Sequence, residues 1–156
     1  MTKANILCRD IRWEILPLEN MAKASLNLIA HNLLDETSDF EISILATGDG
    51  EVLNLNRDHR GFAYATNILS WPEYEYERVK PGCLPRRVLK QPVPLQGLGF
   101  LGNLAISFDI CAREASVRNI SLNDHVPHLL LHGILHLIGF DHQDELDALL
   151  ILIFNS

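Results

Sequence analysis

His132, His136 and His142 stand in a His-x3-His-x5-His spacing. On a helix, residues four apart share one face, with their Cβ atoms about 5–6 Å apart. Two imidazoles so placed can reach a single ion at about 2.0–2.1 Å from each nitrogen. Gly139 follows the second histidine, and glycine readily takes positive φ, so the chain can turn there and carry His142 back. Three neutral imidazoles would hold one Zn²⁺ and leave a fourth position open, the layout of a catalytic rather than a structural zinc. A zinc-bound water has its pKa lowered from about 15.7 to about 7, so metal-dependent hydrolysis is the expected chemistry. One histidine on an apolar helix is usually a satisfied core side chain, but three with a glycine at the turning point read as a ligand set.

The spacing matches the His-Glu-x-x-His-x-x-Gly-x-x-His pattern of metzincin proteases except at Gly133, which stands where their glutamate base would be. Peptide hydrolysis by their mechanism is therefore disfavoured. His125 and His128 lie about two turns and one turn upstream of His132 and read as helix-start or supporting residues rather than ligands. Asp141 is a candidate to orient a ligand imidazole, with a plain loop cap as the alternative.

These side chains need a scaffold. Residues 122–139 form an apolar run with histidines at helical spacing, expected as a helix with Pro127 in its first turn and Gly139 at its end. The stretch from Asp141 to the end is expected as a short last element. Residues 4–16 read as one strand or two short ones. After Pro17, the residues Met21, Ala24, Leu26, Leu28, Ile29 and Leu33 recur at helical spacing. Phe40, Ile42, Ile44 and Ala46 alternate as in a strand, with a turn at Asp49-Gly50. Residues 50–61 suit a short helix ending near Arg60 and Gly61, residues 66–72 and 101–108 suit strands, and residues 109–118 suit a helix capped by Asp109. Pro81, Pro85, Pro92 and Pro94 with Gly82 and Gly97 mark 73–97 as a long loop. The expected fold is α/β (α+β): one small mixed sheet of about four strands, helices packed against it, and the zinc site in a cleft.

The chain of 156 residues is most simply one domain, spanning 1–156, long enough to bury a real core. Its formal charge of −7 argues against sequence-blind coating of nucleic acid, which needs a basic face. Arg78, Lys80, Arg86, Arg87 and Lys90 form the densest basic stretch; solvated loop charge is the favoured reading over phosphate contact. Cys8, Cys83 and Cys111 are odd in number and far apart, so reduced thiols are expected. No apolar run approaches the roughly 20 residues that span a bilayer, and no signal peptide is visible, which points to the cytoplasm and to no membrane partner. Trp13 and Trp71 read as core residues rather than as platforms for bases.

The segment HGILHLIGFDH at 132–142 resembles the signature of the YbeY family of bacterial endoribonucleases, His-Gly-x-Leu-His-Leu-x-Gly-[Tyr/Phe]-Asp-His. LNRDHRGFAYATNILSWP at 55–72 resembles the family's Leu-Asn-x-x-x-Arg-Gly and Thr-[Asp/Asn]-Val-Leu-Ser-Phe-Pro, and LGNLAIS at 101–107 resembles its Leu-Gly-Asp-Ile-x-Ile strand. The likeness covers roughly residues 40–145. It implies a metal-dependent endonuclease of single-stranded RNA acting in rRNA maturation, at the 16S rRNA 3′ end, and in ribosome quality control. It also implies as partners the small ribosomal subunit or its assembly factors. His132, His136 and His142 match the family's ligands for one Zn²⁺, and Arg60 matches its functional arginine, whose guanidinium suits phosphate geometry. Asn103 stands in place of the usual Asp and Trp71 in place of Phe, the 73–97 connection is longer than usual, and the tail after His142 is short. Two competing readings are an assembly or binding factor with a mainly structural metal, and a metal-dependent hydrolase of another substrate.

Overall fold

The computed structural model describes residues 2–33, 39–60, 67–73, 75–77, 86–88 and 99–140. Strand β1 (Thr2–Cys8) is followed by a 3-10 turn (Ile11–Ile15) and α1 (Leu18–Leu33), then β2 (Phe40–Thr47), α2 (Asp49–Arg60), β3 (Ile68–Pro72), β4 (Glu75–Glu77), β5 (Arg86–Val88), β6 (Gly99–Ser107), α3 (Phe108–Arg118) and α4 (Leu122–Leu137). The main sheet has the order β1-β2-β6-β3. β1, β2 and β6 run parallel, and β3 closes the edge antiparallel to β6. The expected mixed sheet with helices against it is what forms.

One face of the sheet carries most of the core. Ile42, Ile44 and Ala46 of β2 are buried on alternate positions, as their period of two requires, beside Leu104 and Ile106 of β6. α1 and α4 cover this face through Leu26, Ile29, Leu130, Leu131, Ile134 and Leu135, all within one apolar cluster. α1 buries Leu18, Ala22, Ser25, Leu26, Ile29 and Ala30, a helical stripe, whereas Ala24 and Leu28, expected on the apolar face, are exposed. The opposite face holds a smaller cluster under α2, built from Val52, Leu69 and Ala105 with Leu45, Leu55 and Trp71 packed against it.

Several local expectations change. The apolar run after β1 bends into a 3-10 turn because the Asp10 side chain accepts from the backbone N–H of Arg12, which drives Trp13 into the core. Trp13 donates its indole N–H to the Thr47 carbonyl at 2.8 Å and meets Phe108 edge-on. α2 starts at Asp49, where a turn was expected, because Asp109 from α3 accepts its backbone N–H at 2.9 Å. Asp109 therefore does not cap its own helix; Ser107 does, accepting from Ile110. Pro127 lies beyond the first turn of α4, whose cap is Ser121. A proline there cannot donate to the carbonyl four residues back, that of Asn123, an exposed residue near the helix start. Within the expected 73–97 loop, β4 and β5 pair antiparallel, with Glu77 opposite Arg86.

β6 carries a bulge. Glu41 pairs with Phe100 and Ile42 with Gly102, so Leu101 is the extra residue. Gly102 takes φ 143°, and a Cβ there would sit 2.3 Å from the Trp71 carbonyl oxygen. Only glycine tolerates that combination.

Candidate metal centre

α4 places the two helical histidines together. Ser121 accepts the Asp124 N–H at the start of the helix, and leucine and isoleucine side chains bury the face toward α1 and the sheet. His132 and His136 are left half-buried on the flank. Their Nε2 atoms lie 3.1 Å apart, with ring centroids separated by 4.8 Å and planes tilted by 54°. Two nitrogens bound tetrahedrally at about 2.0–2.1 Å from one ion stand roughly 3.3 Å apart. The pair therefore fits a single zinc-sized ion with little adjustment, and both rings would bind as neutral imidazoles.

The end of α4 is closed by a left-handed glycine. Gly139 adopts φ 104°, its N–H donates to the His136 carbonyl at 3.1 Å, and the Phe140 N–H donates to the Leu135 carbonyl at 3.1 Å. This is the Schellman pattern, and Phe140 and Leu135, the positions whose apolar contact usually accompanies it, are both buried in the main cluster. Gly139 thus takes the positive φ expected of it. The candidate third ligand His142 and its neighbour Asp141 lie outside the described residues. Among the described residues no group of three or more metal-ligating side chains is gathered. Arg60 is the last residue of α2, where the spacing put it; its side chain lies outside the description.

Gly133 has a clear structural cause. A Cβ there would lie 2.6 Å from Ile68 Cδ1 of β3 and 3.1 Å from Leu104 Cδ2 of β6. The position that holds a glutamate base in metzincins here points into the sheet, where a side chain would need Ile68 and Leu104 to shift. Ser70 of β3 donates its hydroxyl to the Gly133 carbonyl at 3.3 Å.

His125 is not near the pair. It is buried, with Nε2 3.3 Å from Glu114 Oε1, and the same carboxylate accepts from Asn67 Nδ2 at 3.0 Å. This network joins β3, α3 and α4, and nothing in the residue spacing signals it. His128 is exposed on the first half of α4. Cys111 beside the network is buried, and that burial, aided by the Glu114 charge, pushes its thiol up to about 12. It is a free thiol, as is Cys8. Cys83 lies outside the described residues.

A second cluster sits where β1 and β2 end. Arg12 bridges Asp10 and Asp109 at 2.6 and 2.7 Å, and its guanidinium lies 4.7 Å over the Phe108 ring. Hydrogen bonds from Arg12, then from the Asp49 N–H, hold the Asp109 carboxyl down at about 2, and Arg12 also lowers Asp10. The cluster ties the first turn of α3 to the 3-10 turn and the start of α2.

The family model for Endoribonuclease YbeY matches residues 8–151. The chain belongs to the YbeY family of endoribonucleases. A YbeY endoribonuclease from Ruegeria sp. (strain TM1040) is 36% identical over 144 residues, covering 92% of this chain and 83% of that protein. One from Dinoroseobacter shibae is 39% identical over 144 residues, covering 92% and 77%. The solution structure of TM1509 from Thermotoga maritima shares the fold, with a TM-score of 0.54 at 18% identity, covering 97% of this chain and 89% of that one. Among the described residues no helix is long and apolar enough to cross a membrane.

Proposed function

We propose that this chain is a zinc-dependent endoribonuclease of single-stranded RNA, working in rRNA maturation at the 16S rRNA 3′ end and in ribosome quality control. The observation that carries the reading is the 3.1 Å approach of the His132 and His136 Nε2 atoms on a buried helix of a YbeY-family chain. In this reading His132, His136 and His142 hold one Zn²⁺, and Asp141 orients a ligand imidazole. The ion, when bound, supplies Lewis acidity toward a phosphoryl oxygen or an attacking water. The chain's own residues do the rest. The left-handed turn at Gly139 ends the helix just past the pair, the core around α4 holds the helix, and the Arg60 guanidinium would stabilise developing negative charge on phosphate. The partners are single-stranded rRNA and the small ribosomal subunit or its assembly factors, and the compartment is the cytoplasm.

The test is metal analysis of the purified protein together with cleavage of a single-stranded RNA, for wild type and His136→Ala. The expected result is about one zinc per wild-type chain, with both zinc and cleavage lost in the variant. Cleavage that survives in a zinc-free His136→Ala protein would sink the reading. Zinc bound by a wild type that cleaves no RNA would favour the binding-factor alternative.

A further inference from the structure

β3 is an edge strand of the main sheet, and β6 pairs with one side of its backbone. In an antiparallel ladder, pairs that exchange hydrogen bonds alternate with pairs whose N–H and C=O groups point away from the partner. The bonds just beyond each end of β3 set the phase. The Ser107 N–H donates to the Asn67 carbonyl at 2.9 Å, and the Glu73 N–H donates to the Leu101 carbonyl at 3.0 Å. Both continue the register that sets Ile68 opposite Ile106 and Pro72 opposite Gly102. Asn67, Leu69, Trp71 and Glu73 therefore bond toward β6, while Ile68, Ser70 and Pro72 turn their main-chain groups outward. Among the described residues no strand pairs with that outer side.

The outer side is blunted at both ends. The Ile68 N–H is taken by the Asn67 side chain, whose Oδ1 accepts it at 2.7 Å. Pro72 has no N–H to offer. An added peptide strand needs a run of alternating donors and acceptors, and this edge withholds it. Ser70 remains, half-buried, with one N–H and one C=O side by side. A donor next to an acceptor is also what the Watson–Crick edge of a nucleobase presents, and RNA offers that edge only where it is unpaired.

Ser70 stands level with the histidine pair. It lies against Gly133, which falls between His132 and His136 in α4. Successive residues on an α-helix are rotated by about 100°. Gly133 faces the sheet, where its missing Cβ would meet Ile68 and Leu104. His132 and His136 then fall roughly 100° and 60° to one side of it, and Leu130 and Ile134 roughly 60° and 100° to the other. The fully buried Leu130 and Ile134 side is the side toward α1, which packs on both α4 and β1. In the order β1-β2-β6-β3, the histidine side is the one beyond β3. The imidazole pair and the outward groups of Ser70 thus share one border of the molecule.

We infer that the main-chain N–H and C=O of Ser70 dock the Watson–Crick edge of an unpaired nucleotide beside the metal centre. For a uracil, the Ser70 N–H donates to a base carbonyl oxygen and the Ser70 carbonyl accepts from the ring N–H. The inference rests on the reading of the chain as a metal-dependent nuclease of single-stranded RNA. It adds how a single strand is told from a duplex, whose Watson–Crick edges are already occupied.

The test uses the zinc-loaded full chain and a single-stranded oligouridylate carrying 3-methyluridine or 5-methyluridine at one position at a time. The first methyl blocks the Watson–Crick edge and the second does not. At one position near the cut, 3-methyluridine is expected to slow cleavage roughly tenfold, and 5-methyluridine to leave it within about twofold of the plain strand. Ser70→Ala keeps both main-chain groups and is expected to keep the tenfold penalty. Ser70→Pro lacks the N–H at an outward edge position, where proline is tolerated. It is expected to cut the plain and 3-methylated strands at nearly equal rates. A wild type indifferent to 3-methyluridine at every position overturns the inference, and so does a folded Ser70→Pro chain that keeps the penalty. Without any variant, the Ser70 amide resonance of nitrogen-15-labelled wild type is expected to shift on addition of a 2′-O-methyl oligouridylate. An amide that stays in place overturns the inference as well. A wild type that cleaves no RNA at all rejects the nuclease reading itself, a separate result visible before any modified strand is compared.

Discussion

Gly102→Ala isolates the cost of the bulge that seats β6 between β2 and β3. The new Cβ would sit 2.3 Å from the Trp71 carbonyl oxygen, 2.9 Å from Leu137 Cδ2 and 3.1 Å from the Glu73 nitrogen, at φ 143°. Two of these neighbours are backbone atoms and cannot swing aside. Nor can the strand slide, because Gly102 pairs with Ile42 on one side and Pro72 on the other, and the Glu73 N–H donates to Leu101 at 3.0 Å. A residue forced into such a backbone conformation costs about 1–3 kcal/mol. Overpacking adds about 1–3 kcal/mol. The lower entropy of alanine in the unfolded chain returns about 0.4–1 kcal/mol. The expected net loss is about 3 kcal/mol, a large share of the roughly 5–15 kcal/mol by which domains are stable. Urea unfolding followed by the fluorescence of the buried Trp13 measures it. Gly50→Ala is the control, since nothing lies within 4 Å of its Cβ position; on helical propensity it should be neutral or slightly stabilising. A Gly102→Ala midpoint indistinguishable from that of Gly50→Ala would refute the steric reasoning.

Asp109→Asn removes the charge that Arg12 holds while leaving an oxygen for the Asp49 N–H. A carboxyl held at about 2 rather than 3.8 corresponds to roughly 2 kcal/mol before screening, and the nearly half-exposed Arg12 reduces this to about 1 kcal/mol. Because the folded-state pKa is depressed, wild type should exceed the variant by that amount above about pH 4. The advantage should fade as pH falls through about 2; a difference constant from pH 7 to pH 2 in denaturant melts would contradict the assignment. Trp13→Phe leaves the buried Thr47 carbonyl without its indole donor and should cost about 1–3 kcal/mol in the same assay, against no change if water replaces the contact freely. Arg60→Ala should keep the zinc content of wild type while lowering cleavage of single-stranded RNA by about 10²-fold. Unchanged cleavage would remove Arg60 from the mechanism.

The helix bearing the two histidines, the alternation along β2 and the positive φ of Gly139 were legible in the amino-acid order because each is a short-range property. Period and cap chemistry act over one or two turns, and His132 and His136 share a helix face whatever surrounds them. Family motifs extended that reach to Arg60, at the end of α2. Other features are settled only when distant segments meet. The strand order β1-β2-β6-β3 sets β6 between two partners and forces the bulge at Gly102. Asp109 has the right chemistry to cap its own helix, yet it starts α2, sixty residues away in sequence, because Arg12 and Asp49 converge on it. Gly133 reads from sequence as a missing base and is in space the point where α4 touches the sheet. Ser70 looks like one polar residue in a strand until the Gly133 carbonyl arrives beside it. Local sequence determines which face a side chain takes, while register and the distance between layers determine what it meets, and those depend on contacts no window of neighbouring residues contains.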